Sequence, residues 1–424
     1  MRHYLDHAAG TDVRPEAAAA HAEELARQVA GAGNPSSGHA AGRAARARWE
    51  EARERIAAAL GADSAEVILT SGATEADTLC VVGAARAARA GRPGEPGGAR
   101  VSAGGGDAAD ADAPVVACSA VEHPAVITAV RNLQADGLAR AEILPVGADG
   151  RLLLPAAAEA IGRRPALVSV TAVCHETGVV QPVEEVVRLA REAADRERPR
   201  GVPVHTDASQ ALGVHPVSLR GQDLDALTIG GPKIGAPVGT GALLARRDLA
   251  LAPVGGGGAQ QRQVRSGTLD VAGAVALAVA VELAVADRER TAERLGRLRA
   301  ELVSGIAGRI PGLRVTGPDL DRPESVAVSP GIVHVRIPGA DPDALLLALD
   351  AAGIDASPGS ACTTGVLGAS DVLLAMGLSE SDSRTGLRLS MGRTTTQEDV
   401  AAVVRALPEA ARAAREVGAI AGRA

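Results

Sequence analysis

T-D-A-S-Q-A-L-G at 206–213, followed by D-A-L-T-I-G-G-P-K-I-G-A-P-V-G-T-G at 225–241, is the stretch that decides how this chain folds. Asp207 follows a short apolar run, as a residue at the mouth of a parallel sheet does. Lys233 comes about one strand–helix–strand unit later. Gly230, Gly231 and Pro232 set it on a tight turn where a ligand can approach the backbone closely. A carboxylate and an amine so placed are the two groups that pyridoxal phosphate asks of a protein, one facing its pyridinium nitrogen and one forming a Schiff base. Taken singly, Asp207 reads better as a helix cap and Lys233 as a solvated turn lysine. The motifs around them decide the matter.

Working outward, E-V-I-L-T-S at 66–71 reads as a buried strand running into G-A-T-E and a helix from about Glu75 to Ala90. Ser71, Gly72, Ala73 and Thr74 thus open a helix at a strand's carboxyl end, a place suited to an anion. Further strands are expected at 115–118, 141–146, 166–171, 203–206, 225–230 and 241–246, with helices between them, including Pro124–Ala135 and Pro182–Ala194. This rhythm predicts an α/β fold, a mostly parallel sheet with helices on both faces. A long Ala-rich helix from about Val271 to Ile306 leads to a smaller α+β C-terminal domain. That domain is expected to hold strand-like runs at 324–329 and 332–337, a helix over Asp341–Ala352 and a last helix from about Gln397 to Arg415. The expected division is an N-terminal segment 1–30 packing with the small domain, a large domain 31–270 and a small domain 271–424. Residues 91–114 are of low complexity and read as a mobile surface loop without chemistry.

Composition narrows the function classes. The 424 residues suit a large domain plus a smaller one. Phe is absent and there is one Trp (Trp49) and one Tyr (Tyr4), so the core is aliphatic and stacking on a ring falls to histidine. A formal charge of −7 leaves no basic footprint for nucleic acid. Cys80, Cys118, Cys174 and Cys362 show no C-x-x-C spacing, which argues against zinc and a disulfide framework and for a reducing compartment. The start M-R-H-Y-L-D-H lacks an apolar signal region and no run reaches membrane-spanning length, so a cytoplasmic protein is expected.

From Y-L-D-H-A-A-G-T at 4–11 to L-R-L-S-M-G-R-T-T at 387–395, the ordered motifs resemble the cysteine desulfurases. These are class V aminotransferase-like, fold-type I pyridoxal phosphate enzymes. The resemblance implies roles position by position. Thr74 in S-G-A-T-E, with the backbone of Ala73, is a phosphate ligand. His123 in E-H-P-A-V stacks on the cofactor ring and moves protons, as a planar group titrating near neutrality can. Its alternative is to cap the helix at Pro124. Asp207 keeps the pyridinium nitrogen protonated, Gln210 bonds the phenolic oxygen, and Lys233 is the Schiff-base lysine. Thr268 in R-S-G-T reaches the phosphate of a neighbouring subunit, which implies a homodimer with shared sites. Arg388 clamps the substrate carboxylate with the help of Asn34. Cys362, in the small-residue loop S-P-G-S-A-C-T-T-G, takes sulfur from bound L-cysteine as a persulfide and hands it to an acceptor such as an iron–sulfur scaffold or a thiolation enzyme.

The chain also departs from that pattern. The family's Ser-x-His before the lysine is Gly230-Gly231-Pro232 here, which removes two side-chain contacts to the phosphate region. The usual Asn-Asn-Glu is Cys174-His175-Glu176, placing His175 near the phenolic oxygen, where a neutral imidazole still donates one hydrogen bond. The implied reaction is conversion of L-cysteine to L-alanine. The alternatives on the same fold are a selenocysteine lyase, a cysteine-derivative lyase or an aminotransferase. A non-catalytic dimeric scaffold for sulfur-handling partners is the remaining one.

Overall fold

A computed structural model describes residues 2–31, 33–91, 113–317, 327–358 and 368–420. The chain opens with β1 (His3–Tyr4), α1 (Pro15–Ala30), α2 (Ala40–Ala59), β2 (Val67–Thr70) and α3 (Ala73–Ala90). There follow β3 (Val115–Ser119), α4 (Pro124–Ala135), β4 (Arg140–Leu144), α5 (Leu154–Gly162), β5 (Leu167–Ser169), α6 (Val183–Glu192), β6 (Val204–Asp207), β7 (Ala226–Gly230) and β8 (Gly241–Ala245). The remainder is α7 (Val271–Ile306), β9 (Arg314–Val315), β10 (Ile332–Arg336), α8 (Pro342–Ala351), β11 (Ile354–Asp355), α9 (Asp371–Ala375), α10 (Glu380–Ser383), β12 (Gly386–Ser390) and α11 (Gln397–Ile420).

Strands β2 to β8 form one seven-stranded sheet in the order β2-β8-β7-β6-β5-β3-β4. All its pairings are parallel except those of β8, which runs antiparallel to both β2 and β7. The α/β fold with a mostly parallel sheet is therefore the observed one. Strands β2, β3, β5, β6, β7 and β8 are buried along their whole length. Parallel sheets demand this, because crossover helices cover both faces, and it is why these strands read as continuous apolar runs. One face packs on a core with Trp49, Ile56, Val168, Val204, Leu227 and Ile229, the other on Ile68, Val116, Leu167 and Leu243.

Helix α7 ties two cores together. Its first half, from Val271 to Ala284, belongs to the core of the large sheet. Leu295, Leu298, Leu302 and Ile306 belong to a second core with Val333, Val335, Leu387 and Leu389 of β10 and β12. There β12, β10 and β9 make a three-stranded antiparallel sheet. Strand β1 reaches across from the chain's start to pair in parallel with β11.

Two expectations change. Helix α3 begins at Ala73 rather than Glu75, so Ala73 and Thr74 lie in its first turn. The run expected as a strand over 324–329 is not one in its described part. Val328 instead makes a single antiparallel bridge to Val179 of the large-sheet side, because that apolar residue finds its partner across the molecule rather than beside β10. The 91–114 loop lies outside the described residues, apart from its ends. Among the described residues no helix is long and apolar enough to cross a membrane.

Candidate active site

The carboxyl ends of β3, β5, β6 and β7 meet above the sheet, where ligands of open α/β folds bind. Asp207 ends β6, is buried, and accepts a hydrogen bond at Oδ1 from Ser209 N at 2.9 Å. The chain leaves β7 through one tight turn, Gly231–Lys233. Gly231 has to be glycine, since a Cβ there would lie 2.1 Å from Thr240 Oγ1. The turn presents Lys233, whose Nζ donates to Ala8 O at 2.8 Å and Ala9 O at 2.7 Å. Burial lowers its pKa, Arg388 lowers it further and Asp207 works against both. A lysine held this way sheds its proton more readily than one in water, as a nucleophilic amine requires.

Gln210 donates from Nε2 to Ala8 O at 2.9 Å, so Gln210 and Lys233 share one carbonyl of the N-terminal segment. That segment is anchored by Arg14, which donates from Nε to Ile234 O at 3.0 Å and pairs with Asp287, also at 3.0 Å. His123 caps α4, its Nδ1 accepting from Ala125 N at 3.1 Å. The cap and the catalytic reading coexist: with Nδ1 accepting, the neutral ring carries its proton on Nε2. His175 meets it edge-on, ring centroids 5.2 Å apart. Burial is the main cause that holds both imidazoles below their ordinary pKa, so both are neutral at neutral pH.

Arg388 is buried in the middle of β12, where Nη1 donates to His175 O at 2.9 Å and Nη2 to Asp6 Oδ1 at 2.8 Å. Its Nε is buried without a partner among the described residues. Asp6, which the sequence reading passed over, thus orients the guanidinium. Thr74 is exposed in the first turn of α3 beside Ala73, and Gly72 before them supplies no side-chain cap. Among the described residues Asn34 and Thr268 make no hydrogen bond to Lys233, Asp207 or Arg388. Asn34 is exposed, and its Oδ1 accepts from Ser36 N at 2.9 Å, serving its own turn. Thr268 is exposed three residues beyond Arg265, whose Nε donates to Glu75 of α3 at 2.6 Å. Cys362 lies outside the described residues. Cys80, Cys118 and Cys174 are buried, and burial pushes each thiol up, which makes them poor nucleophiles.

A polar cluster behind Asp207 escaped sequence reading. His205, two residues earlier on β6 and so on the same strand face, bonds Ser169 Oγ at 2.9 Å and Thr228 Oγ1 at 3.0 Å. Burial lowers its pKa to about 4. Asp77 of α3 lies 3.6 Å from His205 Nε2, and Glu122 Oε1 accepts from Thr171 N at 2.6 Å. Burial first and Asp207 second push both carboxyls well above the usual range. An acid at position 77, on a helix face otherwise made of Ala76, Cys80, Val81 and Ala84, was the available signal.

With this geometry in view, comparison with known proteins decides the family. The class-V aminotransferase profile matches residues 3–93 and 109–403. The chain belongs to the class-V aminotransferases. An IscS-like cysteine desulfurase of Mycobacterium tuberculosis is 42% identical, with 99% of each chain covered. A cysteine desulfurase of Cereibacter sphaeroides is 35% identical over 96% of this chain and 95% of its own. Among solved structures, a NifS-like protein superposes with a TM-score of 0.80 at 27% identity, covering 96% of this chain and 99% of its own. DndA from Streptomyces lividans gives 0.67 at 32% identity, over 91% and 99%. As a class-V aminotransferase on the cysteine desulfurase branch, the chain is related to them over nearly its full length.

Proposed function

We propose that this chain is a pyridoxal phosphate-dependent L-cysteine desulfurase that passes sulfur through Cys362 to an acceptor protein. The observation that carries the reading is the convergence of the Lys233 amine, its proton loosened by burial, with Asp207, His123 and Arg388 at the mouth of the parallel sheet. The residues present fit the cofactor. An amine supplies the covalent attachment, a buried carboxylate a partner for a ring nitrogen, and the open first turn of α3 a seat for a phosphate. The orphaned Arg388 Nε fits a carboxylate oxygen.

When bound, the cofactor supplies an electron sink for the substrate's α-carbon. Lys233, once displaced by substrate, takes the α-proton on Nζ; its lowered pKa suits it to act as base. His123, with Nδ1 committed to the α4 cap, has Nε2 left for proton transfer. Arg388, steadied by Asp6 and His175 O, holds the substrate carboxylate. A Cys362 thiolate attacks the substrate sulfur, so that an S–S bond forms and the C–S bond breaks with its electron pair staying on carbon. L-cysteine and the Cys362 thiol give L-alanine and a Cys362 persulfide, with no outside oxidant or reductant. The scattered cysteines, without C-x-x-C spacing, accord with a reducing, cytoplasmic setting.

The test is direct. The purified protein should be yellow, and borohydride reduction followed by peptide mapping should place the pyridoxyl label on Lys233. Lys233 is the only lysine in the chain, so a protein that takes up the cofactor but carries no borohydride-fixed label on Lys233 would refute the assignment.

A further inference from the structure

Gly230 ends β7 at the point where the family pattern carries a hydroxyl side chain, and the geometry around it is specific. A Cβ built on Gly230 would lie 3.3 Å from Ala73 Cβ in the first turn of α3, 3.3 Å from Ser209 Oγ and 3.6 Å from Lys233 Cγ. Ala73, Ser209 and Lys233 therefore crowd closely around the position of the missing side chain. Ser209 is 94% buried, its residue exposure being 6%, and its hydroxyl has no hydrogen-bond partner among the described residues. A buried orphan hydroxyl carries a desolvation cost that native structures rarely leave unmet. The backbone N–H of Ser209 is engaged by Asp207 Oδ1, which fixes the residue while leaving its hydroxyl free.

The neighbouring group is the N-terminus of α3, an 18-residue helix that begins at Ala73 behind a glycine with no side-chain cap. Helix starts present unpaired N–H groups and a positive dipole end, which favour an anion with several acceptor oxygens. An uncapped helix start and an orphan hydroxyl at one space match the needs of a phosphate group, each contributing donors.

We propose that the Ser209 hydroxyl is a ligand of the cofactor phosphate in this chain, standing in for the side chain that Gly230 lacks. The hydroxyl has moved from one strand end to the next: β7 lost it at 230 and the turn after β6 presents it at 209. This rests on the reading of the site as a pyridoxal phosphate site. It also accounts for how the site keeps a phosphate grip although Gly230 and Pro232 remove two expected contacts.

The experiment separates phosphate binding from everything else the residue does. Full-length apoprotein is titrated with pyridoxal phosphate and, in parallel, with pyridoxal, following the absorbance of the lysine-bound chromophore. Ser209→Ala should weaken pyridoxal phosphate about tenfold or more, in line with a hydrogen bond to a charged acceptor. It should change pyridoxal affinity less than about threefold, since pyridoxal has no phosphate to hold. The double variant Ser209→Ala/Gly230→Ser returns a hydroxyl to the same space. The extended backbone of Gly230 (φ −109°, ψ 118°) suits serine, Ser209→Ala removes the 3.3 Å contact to Oγ, and the 3.3 Å contact to Ala73 Cβ asks a shift of a few tenths of an ångström. This variant should recover most of the lost affinity. Equal binding of pyridoxal phosphate by Ser209→Ala and the parent overturns the proposal. So does an equal loss for both ligands, which marks a merely structural residue. If the parent itself forms no lysine-bound chromophore with either ligand, the reading of the site fails and the proposal with it.

Discussion

Glu176 to Gln is the substitution whose effect can be worked through most fully. Glu176 is 4% exposed; its Oε2 accepts from Ser370 Oγ at 2.6 Å, and its Oε1 lies 3.8 Å from His175 Nε2. Burial raises its pKa from 4.5 to about 7, against the opposing pull of Ser370 and Arg388. Between those two values the folded chain holds a proton that the unfolded chain has released, so stability falls as pH rises, by about 1.4 kcal/mol per unit. Above pH 7 both states are ionised and the loss is complete, at about 3 kcal/mol. Gln keeps an acceptor for Ser370 and carries no charge. Relative to the parent, Glu176→Gln should therefore gain about 2–3 kcal/mol more at pH 8 than at pH 5. Denaturant titrations at the two pH values, read from the midpoint at constant slope, measure this. A difference between variant and parent that is the same at both pH values would show that Glu176 titrates as an exposed carboxyl does, and the burial argument would fall.

Gly231→Ala would place a Cβ 2.1 Å from Thr240 Oγ1 and 2.8 Å from Thr240 O, so it should cost about 1–3 kcal/mol. A melting curve should shift down, and the yield of Lys233-linked cofactor should drop, because the distorted turn carries Lys233. Cys362→Ser should still bind L-cysteine and exchange its α-proton but make almost no alanine. The parent, briefly exposed to cysteine, should carry an extra sulfur on Cys362 that reductant removes in the mass spectrum. Shared sites in a homodimer predict that mixing Lys233→Ala with Thr268→Ala subunits restores activity, because one site of each heterodimer is then intact. Confirmed heterodimers without recovery would refute sharing.

The large sheet was legible because each central strand is buried on both faces and so reads as a short apolar run between turn residues. Helix α4 was legible to the residue, with Pro124 at its first position and His123 before it. Asp207, Lys233 and Arg388 stand in motifs that survive as strings. The cluster of Asp77, Glu122 and His205 does not, since a polar residue in a sequence shows nothing of its burial until the sheet closes over it. Ser209 stayed hidden for a related reason: its meaning lies in the gap left by Gly230, which is near in space and twenty-one positions away in the chain. The run at 324–329 misled because β-branched apolar residues announce extended backbone without naming a partner.

The N-terminal segment has a consequence for the order in which the enzyme becomes competent. Residues 3–10 leave the ribosome well before β11 and β12, yet His3 pairs with Ile354, Asp6 holds Arg388 across 382 positions, and Ser390 N donates to Leu5 O. The same few residues provide the carbonyls that steady Lys233 and Gln210. The seven-stranded sheet uses nothing beyond residue 245 and can assemble while synthesis continues. The amine-bearing turn waits for its full restraint, because the strap is held early at Arg14 by Ile234 and Asp287 but at residues 3–6 only by β11 and β12. Closing so long a loop is slow rather than costly. A nascent chain therefore passes through a stage with a finished sheet and a lysine only half secured, and the order of synthesis itself delays the completed site, Arg388 included, until the chain is nearly finished.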